Sequence, residues 1–241
     1  MLTRPRIGLF VAPGGVQAYD LRLRRALAPA PDLARALAPH QGSRARLEIV
    51  LSDVYCRYLV MTRPAGIRTA AELEAAAHSR FKAVFGDIEP WELKLETPAF
   101  ADSDFIAGAD RGVLAEIESQ AELAGVTPVS IRPHWVAWAR HFHRATRRGQ
   151  HWMVCSDGDW MSLGYISRGC YRQVRALRME GGRADLDGLL ARERAFADGI
   201  DPAAAIWVCG SGISAQASSR TGSRVTAVNA GALWGLVEGA T

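Results

Sequence analysis

Three apolar-rich runs crowd into residues 151–178: "HWMVCS" (151–156), "WMSLGYIS" (160–167) and "CYRQVRALR" (170–178). Only Asp157-Gly158-Asp159 and Arg168-Gly169 separate them. Gaps that short cannot hold a crossover, so the runs must fold back on one another as an antiparallel meander. A helical stretch follows at Asp185–Ala197. Then come the strand "AAIWVCG" (204–210), a glycine turn, the strand "RVTAV" (224–228) and a last helix at Ala230–Val237. A meander followed by strand–helix alternation specifies a mixed sheet flanked by helices.

The same order of signals opens the chain. Strands are expected at Ile7–Ala12 and Val16–Leu23 around Pro13-Gly14-Gly15, and a short helix at Asp32–Leu37. Two β-rich runs follow, "RLEIVLS" (46–52) and "VYCRYLVM" (54–61), with a tight turn expected at Ser52-Asp53. Thr69 and Glu72 have capping-box spacing before a helix whose Leu73, Ala76, Ala77, Phe81 and Phe85 share a face and which ends at Gly86. Strands at 91–97 and 105–110 precede an amphipathic helix at 111–125, a strand at 126–133 and a helix at 134–146. The repeated pattern predicts an α/β chain of two related lobes, residues 1–148 and 149–241.

Composition narrows the setting. The 241 residues are 49% hydrophobic, enough for a sizeable core. The net charge is +4, and arginine supplies all the basic charge except Lys82 and Lys94. The clusters "LRLRR" (21–25) and "ATRRG" (145–149) could touch nucleic acid or anionic lipid, but read first as an arginine-rich surface. No signal peptide and no apolar stretch of membrane length is seen, so a cytoplasmic chain is expected. Cys56, Cys155, Cys170 and Cys209 read as buried free thiols.

Glycine turns are the candidate sites, because glycine lets backbone N–H groups approach a phosphate. Three follow strands: Pro13-Gly14-Gly15, Asp157-Gly158-Asp159 and Gly210-Ser211-Gly212. None matches a P-loop or a dinucleotide fingerprint. Gly-Ser-Gly-Ile-Ser (210–214) lacks nucleophile-elbow spacing. His134, His141 and His143 cannot chelate one metal from a single helix and read as surface or interface histidines. Glu116 and Glu118 read as solvated charges, and Trp135 and Trp138 as core before partner groove.

The order of these turns resembles the actin-like ATPases, in which two phosphate loops clamp a nucleotide and a late glycine turn touches the adenosine. The resemblance is nearer to the pilus-assembly branch (PilM) and the cytoplasmic part of the type II secretion protein GspL. It rests on "RLEIVLSDVYCRYLVM", "TAAELEAAAHSRFKAVFG", "EIESQAELAGVTPVSIRP", "WMVCSDGDWMSLGYISRGCYRQVRAL" and "AIWVCGSGISA", and spans most of residues 5–235. It implies two RNase H-like lobes.

Departures from the family pattern bear on function. Where active members read I-G-I-D-I-G-S-x-x-V-K, this chain has Phe10 for the aspartate, Ala12 for the second glycine and Gln17 for the lysine. Ser156 stands in the aspartate slot of the second loop, with Asp157 one residue late. Mg²⁺ needs oxygen ligands, and phosphoryl transfer needs neutralised charge; phenylalanine offers neither. The resemblance therefore implies a degenerate ATPase with no catalytic residue, metal or cofactor. It implies a scaffold that takes the short cytoplasmic segment of a bitopic inner-membrane protein, in a groove involving the helix 70–85 and the strand 126–132. Neither nucleic acid nor direct membrane insertion is expected, and a homo-oligomer is left open. The alternative is an active ATPase or small-molecule kinase using ATP and Mg²⁺, with Gly14, Gly15, Asp157, Gly158, Gly210 and Gly212 at the nucleotide.

Overall fold

The computed structural model describes residues 4–97, 103–179, 186–196, 199–210, 225–228 and 233. Two strands, β1 (Arg6–Ala12) and β2 (Gly15–Asp20), form an antiparallel hairpin around Pro13-Gly14. Gly15 is required there: its φ is +130°, and a Cβ would lie 2.6 Å from the Ala30 carbonyl oxygen. Asp20 ends β2 early, because its side chain accepts the N–H groups of Arg22 and Leu23 and turns the chain. A two-residue strand, β3 (Arg25–Ala26), completes the meander. The helix α1 (Leu33–Leu37) starts on its Asp32 cap.

Next comes β4 (Arg46–Leu51), parallel to β1. The expected turn at Ser52-Asp53 does not fold the following strand, β5 (Cys56–Thr62), back onto it. Asp53–Tyr55 form a short 3-10 turn, and β5 leaves for another sheet. There it pairs with β7 (Ser103–Asp110), which also pairs with β6 (Trp91–Glu96). One face of this small sheet carries α2 (Ala70–Phe85), which starts with the Thr69–Glu72 capping box. Met61, Leu73, Ala77, Phe81 and Ile106 make that separate core. Gly108 is needed beneath it, since a Cβ would lie 2.7 Å from the Phe81 ring.

After β7, α3 (Arg111–Ala124) returns the chain along the first sheet to β8 (Thr127–Pro133), parallel to β4. The first sheet is thus ordered β3-β2-β1-β4-β8. The expected helix 134–146 breaks at Phe142 into α4 (His134–His141) and α5 (His143–Thr146).

The second sheet repeats the plan. A meander of β9 (Gln150–Asp157), β10 (Trp160–Ser167) and β11 (Cys170–Arg178) continues through α6 (Leu186–Phe196) to β12 (Ala205–Gly210) and β13 (Val225–Val228). Its order is β11-β10-β9-β12-β13, antiparallel on one side of β9 and parallel on the other. Apart from Leu233, the final expected helix lies outside the described residues.

The largest core runs through both halves, from Leu9, Leu47 and Ile49 of the first sheet to Met153, Cys155 and Ile166 of the second. Trp135 on α4 lies between them, wholly buried, with its Nε1–H donating to the Met153 carbonyl at 3.2 Å. Its ring lies so close to β10 that a Cβ on Gly164 would come within 2.1 Å of it. Trp138 is equally buried, so both tryptophans are core. Cys56, Cys155 and Cys209 are buried free thiols; Cys170 is half-exposed.

Candidate functional site

Parallel strands put their carboxyl ends at one end of a sheet, where ligands of open α/β sheets bind. In the first sheet those ends are Ala12, Leu51 and Pro133; in the second they are Asp157 and Gly210. They converge on His134, the first residue of α4. The Phe10 ring meets the His134 ring edge-on at 5.0 Å, and the Asp157 carboxylate acts on the same imidazole through its charge.

His134 is buried, which corrects the expectation of a surface or interface histidine; His141 and His143 are exposed. Its Nε2 accepts the Trp138 Nε1–H at 2.9 Å. Burial drives its pKa down to about 4, against a weaker upward pull from Asp157, so it is neutral at pH 7. Behind it an aromatic chain runs on: Trp138 stacks on Phe142 at 5.5 Å, and Phe142 on Trp207 of β12 at 4.5 Å.

The glycine turns have different local causes. Gly14 and Gly158 face open space. Gly158 begins the two-residue loop between β9 and β10 at φ +55°, where glycine is favoured. Gly210 lies against Ser156: with φ +101°, a Cβ would sit 2.0 Å from the Ser156 carbonyl oxygen. Gly210 is thus fixed by packing whatever the cleft binds. Gly212 lies outside the described residues.

Gln17 and Ser156, two of the departures from the family pattern, have local roles. The Gln17 amide donates to the Leu27 carbonyl at 2.7 Å, tying β2 to the segment after β3. Ser156 is buried, on the face of β9 shared with Trp152 and Val154; Asp157 is on the opposite face with Met153 and Cys155. Near the second turn, the Arg57 guanidinium stands 5.0 Å from the Trp91 ring and 5.5 Å from the Trp160 ring. It is held by cation–π attraction, with hydrogen bonds to the Val54 and Cys56 carbonyls.

Beside this cleft is a residue that no sequence pattern singles out. Asp53 is fully buried at the start of α4, where its Oδ1 accepts the Trp135 N–H at 3.1 Å and the Tyr58 hydroxyl. A carboxylate there complements the unpaired N–H groups and positive end of the helix. Burial nevertheless dominates and raises its pKa, with the hydrogen bonds opposing.

A second concavity, about 970 Å³, opens between the two sheets of the first half. Leu51, Phe105, Ala107, Ile131 and Val136 give it an apolar floor; Glu92, Lys94, Glu96, Arg111, Arg132 and Arg140 charge its rim. Among the described residues both β8 and β6 are edge strands, so each brings one unpaired backbone edge to this groove. A bulge in the β8 pairing leaves Val129 without a partner on β4, and its side chain is 42% exposed at the groove. The strand 126–132 lines this groove. The helix 70–85 does not: α2 covers the opposite face of the small sheet, and α3 and β6 form the wall instead. Alternation along β6 explains the difference, since Trp91, Leu93 and Leu95 pack toward α2 while Glu92, Lys94 and Glu96 face the groove.

Two mixed sheets of the same strand order, with their carboxyl ends converging on one cleft, define the actin-like ATPase fold, and this chain has it. It is similar to the structure of a PilM–PilN type IV pilus biogenesis complex, with TM-score 0.68 and 16% identity over 96% of this chain and 89% of that one. The cytoplasmic domain of EpsL, an inner-membrane component of the type II secretion system of Vibrio cholerae, matches with TM-score 0.61 and 11% identity over 95% and 92%. A Bacteroides thetaiotaomicron protein of actin-like ATPase fold and unknown function matches with TM-score 0.61 and 9% identity over 93% and 91%. No protein-family model matches the sequence, and no curated protein matches it significantly. Among the described residues no helix is long and apolar enough to cross a membrane.

Proposed function

We propose that this chain is a PilM- and GspL-like scaffold of a type IV pilus or type II secretion platform, with lobes 1–148 and 149–241. It works from the cytoplasmic side of the inner membrane, held there by a bitopic membrane protein whose extended cytoplasmic segment lies in the groove between β6 and β8. The groove carries this reading: an apolar floor, a charged rim and two free strand edges suit a peptide that adds as a strand. The similarity to a PilM–PilN complex supports it.

The cleft residues do not fit Mg-ATP. Phe10 brings an aromatic ring to the position of the family's aspartate, Gln17 is bonded elsewhere, and the buried Ser156 stands in the aspartate slot of the second loop, while Asp157 turns toward His134. These observations support a pseudo-ATPase.

Peptides copied from the cytoplasmic segments of single-span proteins encoded beside this gene test the reading by fluorescence anisotropy. One of them should bind the wild type in the micromolar range, and Val129→Glu should weaken it about thirtyfold. Equal binding to both proteins refutes the groove. Calorimetric titration with Mg-ATP should give no binding. Micromolar affinity abolished by Gly14→Glu would instead establish the ATP-binding alternative, in which Asp157, Gly158, Gly210 and Gly212 contact the nucleotide.

A further inference from the structure

Residues 4–46 contain eight arginines against two aspartates. Seven of the arginines, at positions 4, 6, 22, 24, 25, 44 and 46, belong to segments that the sheet register brings to one end of the first sheet. Arg6 of β1 pairs with Arg46 of β4, and Asp20 of β2 with Arg25 of β3. Strands lie about 4.8 Å apart, so Arg25, Arg6 and Arg46 span roughly 14 Å across that end. The turn 21–24 and the loop 41–45 place Arg22, Arg24 and Arg44 beside them, and all seven are exposed. This end is opposite the Pro13-Gly14 hairpin and the cleft.

One detail sets this patch apart from a scattered basic surface. Leu23 stands between Arg22 and Arg24 at 59% exposure. Leu123, at 74%, lies on the last turn of α3, where Gly42 of the arginine-bearing loop donates to the Ala124 carbonyl at 2.9 Å. Asp20 is occupied by the turn's own N–H groups and Glu48 by Arg6, while Glu122 remains exposed beside Leu123.

We propose that this end of the first sheet docks directly on an anionic phospholipid surface, with Leu23 and Leu123 reaching below the headgroups and the arginines bound to phosphates. Clusters of about four to eight basic residues bind anionic bilayers, and arginine can keep its charge at the headgroups beside a buried apolar side chain. Single-stranded nucleic-acid sites place aromatic platforms between their cations; here leucines stand there. The inference is independent of the groove, since it needs no protein partner.

Flotation of the full chain with vesicles tests it, at about 50 mM salt. Binding should occur to phosphatidylcholine containing about one-third phosphatidylglycerol, but not to phosphatidylcholine alone, and should fall as salt rises. Each arginine at an anionic surface contributes about a factor of five, so R22E/R24E/R25E should reduce partition at least a hundredfold. Leu23→Asn, which leaves the arginines in place, should reduce it severalfold. Circular dichroism of each variant should match the wild type, the substituted side chains being exposed. No flotation with anionic vesicles, or flotation that the triple variant leaves unchanged, overturns the proposal. So does binding to a DNA duplex that exceeds vesicle binding and ignores Leu23→Asn.

Discussion

Adding one methyl group at Gly164 tests how the two halves are joined. The new Cβ would lie 2.1, 2.7 and 3.0 Å from three atoms of the Trp135 indole. The indole cannot easily move. It has no exposed surface, its Nε1–H is held by the Met153 carbonyl, and Tyr58, Phe105 and Tyr171 stand 6.0, 6.0 and 5.2 Å from it. Overpacking a close-packed core costs about 1–3 kcal/mol, and a clash this close with a pinned ring belongs at the upper end. For a chain of this length, about 3 kcal/mol lowers Tm by roughly 6–12 °C. Circular dichroism melts of Gly164→Ala measure the loss. A second variant isolates the cause: Trp135→Phe is itself destabilising, through the lost hydrogen bond and the vacated volume, but it leaves room for the methyl. The double variant should therefore cost about 1.5 kcal/mol less than the sum of the singles. A Gly164→Ala melt within about 2 °C of wild type, or singles that add within about 0.5 kcal/mol, would refute this account of the junction.

Two buried ionisable groups give further tests. Asp53→Ala strands the Trp135 N–H and the Tyr58 hydroxyl and should cost about 3 kcal/mol in urea denaturation; Asp53→Asn keeps an acceptor, removes the buried charge and should cost under about 1 kcal/mol at pH 7. Equal losses would mean the charge itself is needed. His134, at a pKa of about 4 when folded against 6.5 when unfolded, refuses a proton that the unfolded chain accepts. Its contribution is complete above pH 6.5 and is lost as pH falls toward 4, about 3 kcal/mol in all; His134→Gln should remove that part of the slope, and an unchanged slope would contradict it.

Local chemistry explains which elements were legible. Thr69 with Glu72, Asp32 before Leu33, and Gly158 between two apolar runs each act over three or four residues, so the caps and the hairpin follow from adjacent letters. Pairing across distance did not. The run 54–61 has the same β character whichever neighbour it meets, and only the 3-10 turn at Asp53 sends it to β7. The glycines at 14, 15, 158 and 210 were visible, but the sequence could not separate two that face open space from two fixed by packing against Ala30 and Ser156. His134 looked like a polar residue on a helix surface; it is buried because α4 lies between the sheets. The wall of the groove beside β8 was not legible for a similar reason: β6 alternation shows that its two faces differ, not which one meets α2.

By itself the sequence determined the repeated meander and strand–helix alternation, and with it two mixed sheets, because periodicity and turn chemistry are properties of short segments. The tertiary structure alone decided what those sheets face. It placed Phe10 and Asp157 on one histidine, gathered seven arginines from separate segments at one sheet end, and left the edges of β6 and β8 open to a shared groove. Each of these depends on contacts between residues tens of positions apart, which no local pattern encodes.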